Sequence, residues 1–256
     1  FPIYARVLAK ETVTRAYYPT GEAYWLVLGH EEGQTVLKDY RRFANDYRNV
    51  LTEEELEKVN EAYYGKMSEE EREVAMATDN IFKEHLLGVD PPQHTRLRKL
   101  VSQSFTPKFV EGLRPRVQEL TDEFLDQIEA HVAATGNRQL DLLEHFAFPL
   151  PITVISEMLG VPLEDRDKFR EWSNAVLEVN PGGGISPEAM ESLGAFAFYL
   201  MGLANQKRKN PTNDLISGLL QAEEEGDVLS QQEVIALIFL LIVAGHETTV
   251  NLIGNG

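Results

Sequence analysis

The chain has 256 residues, enough for one large domain or two small ones, and 43% of them are hydrophobic, enough for a core. Its formal net charge of −17 excludes the basic surface that a nucleic-acid partner needs. It has no cysteine, which excludes disulfides, cysteine-ligated zinc and a cysteine nucleophile from these residues.

The N-terminal Phe1-Pro2-Ile3-Tyr4 lacks the basic and apolar regions of a signal peptide, and its lack of Met suggests a trimmed start. The longest uncharged apolar stretch is about a dozen residues, short of a bilayer span. These features predict a soluble, cytoplasmic protein. Residues 12–18 and 23–28 are rich in β-branched and aromatic side chains, and Pro19-Thr20-Gly21 lies between them, so a hairpin is predicted over 12–28. A short helix is predicted around Glu31–Asp39. Between Glu53 and Glu73 there are nine Glu against Lys58, Lys66 and Arg72. This pattern reads as a solvated, partly helical loop region over 46–90. The alternative is a lid over a pocket, with Tyr63, Tyr64, Ile81, Phe82, Leu86 and Leu87 as its apolar underside.

From Asp90 onward the pattern is helical. Asp90-Pro91-Pro92-Gln93 reads as an N-cap followed by Pro at the first helical position, opening a helix to about Ser104. A longer helix is predicted from Pro107 to Ala134, where Val110, Leu113, Val117, Leu120, Phe124, Ile128 and Val132 recur every three or four positions. Further helices are predicted over 148–159, 163–179, 187–209 and 213–224, with Asn180-Pro181-Gly182-Gly183-Gly184 as a break. Ser230-Gln231-Gln232-Glu233 is a capping box that opens the last helix. The fold class read from this order is mainly α with a small β-sheet near the N-terminus.

Two constellations carry chemistry. In the last helix, Val234–Val243 is apolar on every face and is expected to be buried all round. Ala244-Gly245 then removes bulk, and Glu247 and Thr248 follow at the same expected depth. Thr248 can bond back to the Ala244 carbonyl and loosen the helix there. This makes a plausible proton-delivery site, against the plainer reading that the core helix ends and Glu247 meets solvent. A zinc-protease reading of His246-Glu247 fails, because position 250 is Val. The second constellation is His94 and Arg98, four apart and so on one helix face. A His and an Arg together in so acidic a chain suggest recognition of a carboxylate, against ordinary salt bridging to nearby Glu. His30, His85, His131 and His145 form no ligand spacing, and Ser156 lacks the Gly-x-Ser-x-Gly elbow of hydrolases.

Taken together, these constellations resemble the cytochrome P450 family, in particular its soluble bacterial class. Asp90-Pro91-Pro92-Gln93-His94-Thr95-Arg96-Leu97-Arg98-Lys99-Leu100-Val101, continued by Phe105-Thr106-Pro107, resembles the family's helix C. Ala244-Gly245-His246-Glu247-Thr248-Thr249 resembles helix I, and Asn213-Asp214-Leu215-Ile216-Ser217 resembles the start of the helix before it. The early hairpin and the 46–90 segment fall where the family has its first sheet and its B–C loop. The resemblance covers the whole chain, 1–256, as the N-terminal part of a single P450 domain that stops within helix I. It implies a haem cofactor (heme b, iron protoporphyrin IX), with His94 and Arg98 binding the propionates. It places Ala244 and Gly245 at the haem face, and makes Thr248, helped by Glu247, the group that delivers protons during oxygen activation. It places Leu86, Leu87, Ile238, Val243 and Ala244 around a substrate pocket. It implies hydroxylation or epoxidation of a small-to-medium apolar organic substrate by dioxygen. The electrons would come from a separate ferredoxin- or flavodoxin-type partner, with no nucleic acid and no membrane involved.

The sequence departs from the family in lacking the Glu-x-x-Arg motif of helix K and the loop with the axial cysteine. No metal ligand is therefore expected within these residues, the chain is expected to be cut short, and alone it is expected to be inactive. The competing reading is a non-catalytic helical binding protein that keeps the pocket without haem-thiolate chemistry.

Overall fold

The structure is a computed structural model that describes residues 2–19, 21, 23–65, 67–69, 72, 84–177, 187–224 and 226–256. Ile81, Phe82 and the Asn180–Gly184 break lie outside the described residues.

The chain begins with a helix, α1 (Pro2–Leu8), that the sequence reading leaves unassigned; Ile3, Tyr4, Val7 and Leu8 are spaced as one apolar face, but the helix is only seven residues long and buries none of them. Strands β1 (Val13–Tyr17) and β2 (Ala23–Val27) form the expected antiparallel hairpin, with Val13 opposite Val27 and Tyr17 opposite Ala23. Its alternating half-burial follows from the two-residue period of a strand. Helix α2 (His30–Lys38) follows. In the acidic region, α3 (Glu53–Tyr64) opens with a full capping box, Thr52 receiving the Glu55 amide while Glu55 receives that of Thr52.

Helix α4 (Gln93–Ser104) starts without a side-chain cap. Asp90, expected to be that cap, instead turns backwards. Its carboxylate accepts from the Asn45 amide (2.9 Å), the Asp46 amide (3.0 Å) and the Asn49 side chain (3.1 Å). Burial raises its pKa, but these donors outweigh burial and hold the carboxyl below the usual range. Helix α5 (Pro107–Thr135) is capped by Thr106, carries Pro at its start and ends on left-handed Gly136. A π-helical turn (Leu143–Ala147) leads into α6 (Pro149–Leu159). Helices α7 (Arg166–Leu177) and α8 (Pro187–Lys209) pack together through Phe169, Trp172, Phe196 and Tyr199. Helix α9 (Leu215–Gln221) stops sooner than its pattern suggests, because β3 (Glu223–Glu224) and β4 (Asp227–Val228) form a small hairpin.

Helix α10 (Gln231–Asn255) organises the rest. It packs against α6, α7, α8, α9 and the π-helical turn. Its first half, Glu233 to Phe239, is buried without interruption, as the all-apolar run predicts. Phe239 meets Phe196 edge-on, with ring centroids 5.3 Å apart. The helix is long and apolar enough to cross a membrane, yet its apolar first half is what the surrounding helices enclose.

Candidate functional site

The sequence leaves two readings of this segment, burial through Thr248 or Glu247 meeting solvent, and the structure places Glu247 and Thr248 at the surface although the helix continues. Beyond Phe239 only one side remains packed: Ile242, His246 and Val250 are buried, while Val243, Ala244, Glu247, Thr248, Asn251 and Leu252 are exposed. The reason is the 3.6-residue period. Neighbouring helices cover one flank of this half, so residues at three- and four-residue spacing on the other flank share an open stripe. Glu247 therefore carries no burial cost, and it shares an accessible face with Thr248.

Thr248 Oγ1 donates to the Ala244 carbonyl, and Thr249 Oγ1 donates to that of Gly245 at 2.7 Å. The expected back-bond is present, without interrupting the helix, which continues to Asn255.

Gly245 is not on the stripe. A Cβ built there would lie 3.2 Å from Ile155 Cδ1, so its missing side chain admits helix α6 rather than facing the open side. Ile238, predicted to line a pocket, is wholly buried, because it lies in the half of α10 that other helices surround. Val243 and Ala244 do lie on the open stripe. Leu86 packs against the core, whereas Leu87 is exposed.

His94 and Arg98 share a face of α4, beside the fully buried Leu97. His94 is half-buried and Arg98 exposed, and no carboxylate pairs with either among the described residues. The salt bridging that competed with an anion site is made by Arg96 instead. Its guanidinium donates to Glu233 Oε1 (2.5 Å), the Val228 carbonyl (2.9 Å) and both oxygens of Asp227. Asp227 and then Glu233 hold this guanidinium more firmly protonated than usual. Gln93 also reaches Glu233, at 3.4 Å. Arg96 thus ties α4 to the first turn of α10 and leaves Arg98 free for another anion. No hydrogen bond or ion pair joins His94 or Arg98 to the open stripe among the described residues.

These residues fit a porphyrin that carries carboxylates. An uncommitted Arg and a nearby His suit the carboxylates, and the Val243–Ala244 end of the stripe presents small apolar bulk to a flat ring. The fit does not extend to the iron's axial position. There is no cysteine, and no group of three or more His, Asp or Glu among the described residues could hold a metal ion. A separate cleft of about 570 Å³ between α5 and α6 is lined by Phe109, Leu113, Arg116, Val117, Val154 and Met158, and it contains none of the predicted site residues.

Sequence reasoning missed two residues here. Arg96 looked interchangeable with its basic neighbours, and its partners lie more than 130 positions away. His246 enters the sequence reading through a rejected zinc motif and as the unspecified position of the helix I pattern, with no role of its own. It is 1% exposed, and its Nε2 lies 3.0 Å from the Phe148 carbonyl. A signal was available, since His246 falls at four-residue spacing between buried Ile242 and Val250.

No protein-family model matches the chain. It is 44% identical over 253 residues to cytochrome P450 107B1 of Saccharopolyspora erythraea, covering 98% of this chain and 56% of that protein. It is 42% identical to the cytochrome P450 monooxygenase PikC of Streptomyces venezuelae, covering 100% of this chain and 55% of that protein. The fold superposes on the structure of the bacillaene polyketide synthase cytochrome P450 PksS of Bacillus subtilis with a TM-score of 0.79 and 34% identity, covering 98% of this chain and 56% of that one. The chain spans about half the length of the curated relatives it matches. In sequence and in fold it is similar to about half the length of these bacterial cytochromes P450.

Proposed function

We propose that the protein carrying this chain is a haem-thiolate monooxygenase that inserts oxygen into an apolar organic substrate. The observation that carries this reading is the coexistence of an uncommitted Arg98 with an accessible Thr248 on the open stripe of the core helix, in a chain similar throughout to P450 sequences.

Arg98 and His94 would hold the propionates of haem b, and Ala244 would let the ring lie close to α10. When bound, the haem would supply the chemistry of dioxygen activation, with a thiolate ligand that these residues do not provide. The chain's own part is the proton. Thr248 Oγ1 carries a hydroxyl hydrogen that it gives to the Ala244 carbonyl, and turning that hydroxyl outward aims it into the site. Glu247, exposed on the same stripe, can refill it from solvent. Val243 and Leu87 would supply apolar contacts to the substrate.

The substrate class we favour is a polyketide or similarly bulky apolar molecule, by analogy with the polyketide-synthase setting of PksS. Electrons would come from a separate ferredoxin- or flavodoxin-type partner in the cytoplasm.

The test is the reduced carbon monoxide difference spectrum of the intact protein. A strongly red-shifted Soret band, characteristic of thiolate ligation, is expected. A histidine-type band in well-folded holoprotein would favour the non-catalytic binding protein instead.

A further inference from the structure

We propose that His246 is a positioning residue: its hydrogen bond to the Phe148 carbonyl sets the rotation of α10 and so aims the Thr248 hydroxyl. This inference rests on the monooxygenase reading for its consequence, but its geometry stands apart from it.

The second half of α10 is held mainly by apolar contacts. Gly245 lies against Ile155, and Gly254 lies so close to Leu143 that a Cβ there would be 2.5 Å from Leu143 Cδ2. Such contacts are sensitive to distance, whereas a hydrogen bond is also sensitive to angle and adds a directional restraint. From residue 240 onward, the bond from His246 to Phe148 is the one hydrogen bond that leaves the helix for another element among the described residues. It is directional, and it is anchored on a second contact. The imidazole meets the Phe148 ring edge-on, with centroids 4.5 Å apart and planes at 80°.

The anchor itself is well fixed. Phe148 closes the π-helical turn, its amide donating to the Leu143 carbonyl at 2.9 Å, and it is followed at once by Pro149 at the start of α6.

The tautomer follows from the partner. A carbonyl only accepts, so Nε2 must carry the hydrogen, and Nδ1 is left bare in a buried site without a partner. Burial lowers the His246 pKa, against the raising effects of the Phe148 carbonyl and of Glu247, so the ring is held neutral. Two positions along a helix is a turn of about 200°. His246 fastened to α6 therefore presents Thr248 on the far side of the helix.

The experiment compares His246→Phe, which keeps the ring and loses the donor, with His246→Gln, which restores an amide donor near Nε2, in the intact holoprotein. Amide exchange protection over residues 243–251 is expected to fall about fivefold in the Phe variant, the weight of one neutral hydrogen bond. Product formed per electron should fall with it, and both should recover in the Gln variant. Equal behaviour of the Phe variant and the parent would overturn the proposal, as would an equal loss in both variants. In the unsubstituted protein, ring nitrogen shifts should report a hydrogen on Nε2, and a hydrogen on Nδ1 would overturn it independently. The carbon monoxide spectrum separates the two readings. A parent protein without the thiolate band defeats the monooxygenase reading, whereas the exchange and tautomer results still decide the geometry.

Discussion

Arg96 Nη1 lies 2.5 Å from Glu233 Oε1, across 137 positions of sequence. Glu233 is 6% exposed and also closes the capping box of α10, receiving the Ser230 amide at 2.8 Å. One carboxylate therefore both starts the core helix and fastens it to the helix that bears His94 and Arg98.

Removing Arg96 leaves Glu233 with a half-met buried charge. Arg96→Ala should destabilise the fold by about 2–4 kcal/mol, read from urea unfolding at neutral pH. A loss below about 1 kcal/mol would mean that solvent takes over the role of the guanidinium.

Arg98→Ala should behave in the opposite way, although the two residues are a half-turn apart. Arg98 is exposed and has no ion-pair partner among the described residues, so stability should change by no more than about 0.5 kcal/mol. Haem content per protein after gel filtration should fall. Haem content equal to that of the parent would remove Arg98 from the propionate site.

Thr248→Ala should divert electrons from product to peroxide while leaving the carbon monoxide spectrum intact. The Ala244 carbonyl stays exposed to water when its side-chain donor goes, so stability should hold. Unchanged product per electron would show that another group supplies the proton.

Gly160→Ala should be among the most damaging single substitutions. Gly160 has φ +74°, and a Cβ there would sit 2.6 Å from Asp214 Cγ. The Asp214 side chain is 5% exposed, pairs with Lys207 at 2.6 Å and caps α9 through the Ser217 amide at 2.8 Å. Backbone strain and a displaced cap together should cost about 3 kcal/mol. A thermal midpoint within a degree or two of the parent's would show that Asp214 can move aside at little cost.

Stability should fall as pH drops below about 6.5. Burial lowers the pKa of both His85 and His246 from the ordinary 6.5. Below that value the unfolded chain binds protons that the folded one refuses, so stability rises with pH through this window and levels off above it. His246→Phe should flatten part of this acid-side slope and His85 should retain the rest. Parallel pH profiles for parent and variant would show that His246 titrates normally. The lowered carboxylates, Asp90 and Glu157 among them, act only at more acidic pH.

The long amphipathic elements were legible in the sequence because their apolar period and caps are local. The spans of α5 and α8 and the Ser230–Glu233 box match the pattern closely. Helix α1 was not, since its seven residues give the apolar spacing of Ile3, Tyr4, Val7 and Leu8 fewer than two full turns in which to show a period. Asp90 was misassigned because a cap-like residue before Pro-Pro looks the same whether it faces forwards or back to Asn45. At the site, residue types were legible and directions were not. Thr248 and Arg98 could be chosen from their motifs, but which face Gly245 and Ile238 occupy depends on which helices surround α10, and that is a tertiary fact.

The capping box at Ser230 has a consequence at a distance. Eighteen positions separate Ser230 from Thr248. At 3.6 residues per turn this is about five whole turns, or about 27 Å of travel, so Thr248 returns to the azimuth of the cap. The helix acts as a screw that starts at the cap, with its second half held at its azimuth by the His246–Phe148 bond. Deleting any one residue of the apolar run between them would swing the threonine hydroxyl by about 100°. The length of that run is therefore under a tighter constraint than the identity of its members, since Ile, Leu and Val can exchange within it while its count cannot change.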